Sequence, residues 1–228
     1  MDQIKYMKIK KSLLLILGII ISAGFVFYGC KKKATLVNEI TTLSPAFDGS
    51  GEVYQVDTTM SIIEWIGSTP GNYKHRGTIK LSVGQFTVSN NQLTSGTFTI
   101  DINSITNLDQ SGKDRANLES HLKEKDFFEV EKFPFGSFEI TEIKADSTGK
   151  RVIGNLTLKQ ITNSIQIPVI IRIDEKSVLA ETSAFSIDRT KWGIVYNSGI
   201  IGTIKDDLIN DQISLKLKIV ATKNRANP

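Results

Sequence analysis

The feature that most constrains this chain is a two-residue alternation of apolar and polar side chains, which recurs from Glu52 almost to the C-terminus. Successive side chains of a β-strand point to opposite faces, so alternation at this period marks strands with one buried and one wet face. The clearest run is Gln212–Ala221, where Ile213, Leu215, Leu217 and Ile219 oppose Gln212, Ser214, Lys216 and Lys218. Ile165–Ile173 places Ile165, Ile167, Val169, Ile171 and Ile173 on one face. Gly96–Ile102 does the same with Phe98, Ile100 and Ile102, against Thr97, Thr99 and Asp101. Shorter runs predict strands at Val53–Asp57, Ser61–Gly67, Gln85–Val88, Gly136–Ile143 (Phe138 with Ile140) and Val152–Leu158 (Leu156 with Leu158). Gly77–Val83 reads as one strand with Ile79, Leu81 and Val83 on its apolar face, and Ser177–Ile187 reads as another. Turn signals separate these runs: Asn90-Asn91, Asp146-Ser147-Thr148-Gly149 and Asp174-Glu175-Lys176. One segment, Ser111–Phe128, has helical spacing, with Ser111 or Asp114 available as a cap and Leu118 and Leu122 four apart. Pro134 then opposes further helix.

About nine strands, each with one greasy face, cannot be covered by a single helix. Two solutions remain: two sheets packed face to face, or one sheet closed on itself as an all-β antiparallel barrel of about eight strands. Closure also removes exposed sheet edges. The alternation alone leaves both open.

The first thirty residues follow different rules. Lys5, Lys8, Lys10 and Lys11 precede a nearly continuous apolar run, Ser12–Tyr28, which Gly29-Cys30 closes. A basic stretch, an apolar stretch and a small residue form an export signal over residues 1–29. Phe27-Tyr28-Gly29-Cys30 resembles a bacterial lipobox, in which the cysteine becomes the acylated first residue. Here Phe27 and Tyr28 stand where aliphatic and small residues are usual. The competing reading is an uncleaved N-terminal anchor helix. In both readings Lys5–Lys11 stays cytoplasmic and the rest is exported. The expected location is therefore the cell envelope, on the periplasmic side or at the outer membrane, with Cys30 as the lipidation site. Residues 30–51 lack sustained periodicity and read as a tether. The barrel domain spans residues 52–224, followed by a short tail at 225–228.

Charge supports this division. Removing the four early lysines and Asp2 from the 28 basic and 24 acidic residues leaves 24 and 23, so the net charge of +4 belongs to the targeting segment. A neutral domain with no basic stripe argues against nucleic-acid binding. Two histidines, one signal-borne cysteine and no HExxH, GxSxG, Walker A or GxGxxG motif argue against catalysis and against a resident metal or cofactor. The sequence leaves monomer and homodimer both open.

A series of ordered blocks narrows the choice. They run Tyr54-Gln55-Val56-Asp57, Gly77, Ile100-Asp101-Ile102-Asn103-Ser104-Ile105, and His121-Leu122 with Asp126-Phe127-Phe128-Glu129-Val130, Phe133-Pro134 and Ser137-Phe138. Next come Val152-Ile153-Gly154-Asn155-Leu156-Thr157-Leu158, Ile161-Thr162 and Ile167. Phe185 with Ile187-Asp188-Arg189-Thr190-Lys191-Trp192-Gly193-Ile194, and Asp211-Gln212-Ile213, complete the series. Together they resemble the YceI-like family of exported polyisoprenoid-binding proteins, over about Glu52–Lys223, and Trp65-Ile66-Gly67 with Asp188-Arg189-Thr190-Lys191-Trp192-Gly193 resembles a branch with lipoprotein members. The resemblance implies a lipocalin-like barrel holding a long isoprenoid or similar lipid. Two positions depart from the family pattern: Lys125, and Gln160-Ile161-Thr162 in place of a Gly-Val-Thr turn.

Under that reading the ligand surface is the inward apolar set: Phe98, Ile100, Phe138, Ile140, Leu156, Leu158, Ile165, Ile167, Val169, Leu215 and Leu217. A lipid pocket needs few polar groups, so no short motif marks it. Trp65 and Trp192 can line the barrel or pack its core. His121, near the end of the helix, can meet a headgroup at the mouth or simply favour the helix dipole. His75, between Lys74 and Arg76, reads chiefly as a solvated strand end, the other reading being a contact to a phosphate-bearing head. Asp188-Arg189 reads chiefly as a structural ion pair or strand-end hydrogen-bond group, although Arg189 would suit a bidentate phosphate contact. The alternative to lipid carriage is a structural or stress-related envelope protein with a filled barrel, acting through surface contacts.

Overall fold

The computed structural model describes residues 51–146, 149–202 and 207–223. The export signal, Cys30, residues 30–50 of the tether and the 225–228 tail lie outside the described residues. Among the described residues no helix is long and apolar enough to cross a membrane.

Ten strands and one α-helix follow in chain order. The strands are β1 (Glu52–Val56), β2 (Ile62–Ser68), β3 (Lys74–Ser89), β4 (Gln92–Asn107), β5 (Phe135–Asp146), β6 (Gly149–Leu158), β7 (Ile161–Ile173), β8 (Ser177–Glu181), β9 (Phe185–Asp188) and β10 (Gln212–Lys223). Helix α1 (Gly112–Lys123) links β4 to β5. Every ladder is antiparallel, and the order runs β10-β2-β3-β4-β5-β6-β7-β8, after which β8 pairs back onto β10. That last pairing closes the sheet and excludes the sandwich. The ten strands fill eight lanes. On one side of β10, β9 takes Gln212–Leu215 and β8 takes Lys218–Thr222. On the other side, β2 takes Ser214–Lys218 and β1 takes Ala221–Lys223.

The inward face follows the predicted alternation, interrupted by bulges. In β3 the inward residues are Gly77, Ile79 and Leu81, then, after a register shift between Leu81 and Val83, Gly84, Phe86 and Val88. A bulge inserts one residue and so reverses which parity faces the core. Val83, expected on the apolar face, is therefore exposed. The two runs read as Gly77–Val83 and Gln85–Val88 are one long strand. A second shift in the β3–β4 ladder moves the inward set of β4 from Phe98, Ile100 and Ile102 to Ile105 and Asn107.

Two further expectations are corrected. Ser177–Ile187 is two strands, broken where the Thr182 hydroxyl accepts the Leu217 amide and the Thr182 amide donates to the Leu217 carbonyl. The helix ends at Lys123, well short of Phe128. Ser111 occupies the N-cap without a side-chain capping bond, and Glu124 is already extended. The chain then turns back on itself, with Val130 N–H donating to Lys123 O and Glu129 at positive φ.

The two ends of the barrel differ. Where the chain enters at β1 and leaves at β10, Tyr54, Val88, Leu93, Val178 and Ala221 are buried, and the Tyr54 hydroxyl donates to the Asp174 carbonyl at 3.2 Å. These side chains plug that end. The other end carries α1, the β2–β3 and β6–β7 turns and the β9–β10 connection.

Candidate functional site

The interior is hollow. A cavity of about 480 Å³ runs from the mid-barrel towards the α1 end, within the range of small-molecule and lipid sites. Its wall is almost wholly apolar because the inward positions of the long strands are aliphatic or aromatic. Strands β4 and β5 contribute Phe98, Ile100, Phe138 and Ile140. Strands β6 and β7 contribute Leu156, Leu158, Ile165, Ile167 and Val169, and β10 contributes Leu215 and Leu217. Trp65 reaches the cavity from β2. Its ring lies over Gly77 of the neighbouring strand, where any Cβ would meet the indole at 2.6 Å. Phe138 likewise lies over Gly154. Small inward residues on one strand thus make room for rings from the next.

Trp192 does not line the cavity. It is buried in a second cluster with Ile102, Val130, Leu156 and Leu158, and its indole N–H donates to the Leu156 carbonyl at 3.0 Å. It packs behind cavity-lining residues at the α1 end, where the 3-10 helix Arg189–Trp192 lies beside β7.

The mouth is formed by Ser68, Thr69, Tyr73 and His75 from the β2–β3 region, by His121 at the end of α1, and by Tyr196. Tyr73 is exposed and also lines the cavity, which places the opening beside it. Leu118 and Leu122 project from α1 towards the cavity, yet no residue of the helix is buried. That combination follows from facing a hollow rather than a packed core. His121 sits edge-on to Phe127 and Tyr196, with ring centroids at 5.1 and 4.9 Å, and its Nε2 lies 3.2 Å from an Asp126 oxygen.

His75 is not a free strand end. Its Nδ1 lies 2.8 Å from Asp109 Oδ2, and the same carboxylate accepts from the Arg76 amide and the Asn107 side chain. Burial raises the Asp109 pKa, but these three donors outweigh it and hold the carboxyl below the usual range. Asn107 is fully buried and ties this corner to α1 by donating its amide to Glu119.

Asp188 and Arg189 do not pair with each other in hydrogen bonds. Asp188 accepts from the amide and hydroxyl of Thr190. The buried Arg189 guanidinium donates to the carbonyls of Ile194, Ile209 and Asn210 and reaches Asp211 at 3.4 Å. Desolvation lowers its pKa, partly offset by Asp211 and Asp188. It pins the β9–β10 connection beside the cavity. Among the described residues no group of three His, Cys, Asp or Glu side chains is placed to hold a metal.

A YceI-like domain model matches residues 54–221, almost the entire barrel. The chain belongs to the YceI-like family. Among solved structures it is similar to Burkholderia cenocepacia BcnA, with a TM-score of 0.59 at 22% identity, covering 73% of this chain and 99% of that one. It is also similar to a polyisoprenoid-binding domain from Saccharophagus degradans implicated in plant cell wall breakdown. There the TM-score is 0.53 at 13% identity, covering 75% of this chain and 98% of that one. At these identities the likeness is one of fold. A UPF0312 protein of Yersinia pestis is 37% identical over 78 residues, 31% of this chain. The chain spans about two fifths (41%) of the length of that curated relative.

Several residues of the YceI-like mouth carry no sequence signal. Tyr73, Thr69 and Tyr196 lie in connections without periodicity, and only the fold brings them to His121. Leu118 and Leu122 are legible from their helical spacing, although their target is not.

Proposed function

We propose that this chain binds a long hydrophobic ligand, a polyisoprenoid or a similar lipid, inside its barrel, as a membrane-tethered protein of the cell envelope. The observation that carries the reading is the hollow interior. A barrel of this size can be filled by its own side chains, yet here about 480 Å³ is left open among apolar walls. Each methylene moved from water into such a space contributes about 0.8 kcal/mol. A long chain therefore binds through length and not through any single contact. The opening beside Tyr73 leaves a polar headgroup among His75, His121, Thr69 and Tyr196 while its tail lies deeper. The polyisoprenoid-binding relative from Saccharophagus degradans supports the ligand class.

Gentle purification followed by native mass spectrometry tests this. A consistent lipid adduct, released as one species on denaturation, is the expected result. A chain that copurifies empty and takes up no added prenyl lipid sinks the reading. The tether is tested separately. Cys30→Ala should release the protein from the membrane fraction; unchanged fractionation would exclude acylation at Cys30 as the anchor.

A further inference from the structure

Exposed apolar side chains gather at the tips of the mouth end. Tyr73 stands in the β2–β3 turn, Leu108 in the β4–α1 link, Ile161 at the β6–β7 turn, and Ile200 and Ile201 in the β9–β10 connection. Each is at least 41% exposed. Four separate connections thus each raise a large apolar residue around one opening. The described turns at the plugged end are polar instead: Asn90-Asn91 and Asp174-Glu175-Lys176. Isolated exposed hydrophobics are ordinary on a soluble domain, but a group sharing one functional end is not.

We propose that the mouth end docks on a lipid bilayer, with these tips inserted into the interfacial region so that the cavity opens towards the acyl chains. Three observations favour a bilayer as the occupant. The tips form a discontinuous ring about an opening, which suits a plane better than a groove suits a peptide. The opening leads directly into an apolar cavity, so a plane of acyl chains against the mouth meets a continuous apolar path. Charges of both signs stand at this end: Asp109 lies against His75 at 2.8 Å, between Lys74 and Arg76 in the chain, and Arg115 pairs with Glu119 at 2.8 Å. Among the described residues no single-sign field is presented, so docking proceeds by insertion and needs no anionic lipid. The idea goes beyond lipid binding in the cavity and can fail independently of it.

Tryptophan quenching by vesicles of brominated phosphatidylcholine separates the outcomes in the full chain. Leu108→Trp puts a reporter on a tip outside the cavity wall, and Glu175→Trp puts one at the plugged end. The expected result is that the emission added by Leu108→Trp is mostly lost on mixing, while that added by Glu175→Trp survives. The effect should persist at about 1 M salt, where the Debye length is only about 3 Å. Equal quenching at both positions, none at Leu108→Trp, or quenching abolished by salt would overturn the proposal. The wild-type chain supplies the second arm. Its two tryptophans, Trp65 in the cavity wall and Trp192 packed against the lining residues Leu156 and Leu158, report together, so their quenching follows a brominated chain entering the barrel whether or not the rim inserts.

Discussion

Single residues show where this barrel carries local cost. Lys159 and Gln160 connect β6 to β7 with φ of 49° and 62°, a left-handed pair that two-residue hairpins need and that glycine or asparagine usually fill. Lys159 gains a bond there, its Nζ donating to the Phe127 carbonyl at 2.8 Å. Gln160 has no compensation of that kind, so Gln160→Gly should raise stability by up to about 1 kcal/mol in denaturant titration. The acid response also belongs to individual groups. Asp109 and Glu119 sit below their ordinary pKa values of 3.8 and 4.5. For Glu119 the main causes are the Arg115 side chain and the Asn107 amide. A depressed carboxyl contributes stability above its unfolded pKa and loses it as pH falls through the folded value. The urea midpoint should therefore hold above about pH 5 and fall below about pH 4. Asp109→Asn should flatten part of that fall.

At the scale of elements, the strands owe their inward faces to alternation, and their fit to small residues and bulges. Gly77 is the sharpest case, because an added Cβ would strike both the Trp65 ring and the Thr106 carbonyl. The flanking strands cannot yield without moving the β2–β3 ladder, so Gly77→Val should cost about 1–3 kcal/mol and lower the melting temperature. A surface change such as Val83→Thr, on the same strand but facing water, should leave the melting temperature close to wild type. Helix α1 makes the opposite point. Its apolar residues face open space, so its stability rests on the Asn107–Glu119 and Arg115–Glu119 bonds more than on burial.

For the molecule as a whole, the decisive property is that the ring encloses more volume than its side chains fill. Filling that volume from within tests the consequence. Leu217 faces the cavity from the middle of β10 and is only half-buried, so an indole has room there. Leu217→Trp should fold with a near-normal melting temperature, yet displace several methylenes of ligand and weaken lipid binding by about tenfold or more. Lipid extraction and native mass spectrometry read that loss directly. The two ends of the molecule divide the work: Tyr54 and its neighbours seal one, while His121, Tyr73 and Tyr196 surround the opening at the other.

Much of the strand pattern is legible in the sequence alone. The alternation in β4, β6, β7 and β10 identifies the strands and their inward residues, because side-chain direction in a strand depends only on parity. Thirteen of the fourteen ligand-surface residues named from the sequence line the cavity, and Trp192 is the exception. What alternation cannot carry is anything that depends on a partner strand. Val83 faces water against its parity because a bulge is a property of two strands in register, and the break at Thr182 arises only from its pairing with Leu217. Closure of the sheet, the hollow it encloses and the gathering of four loops around one opening depend on contacts between residues far apart in the chain. Local pattern sets which way each side chain points; only the assembled ring decides what it points at.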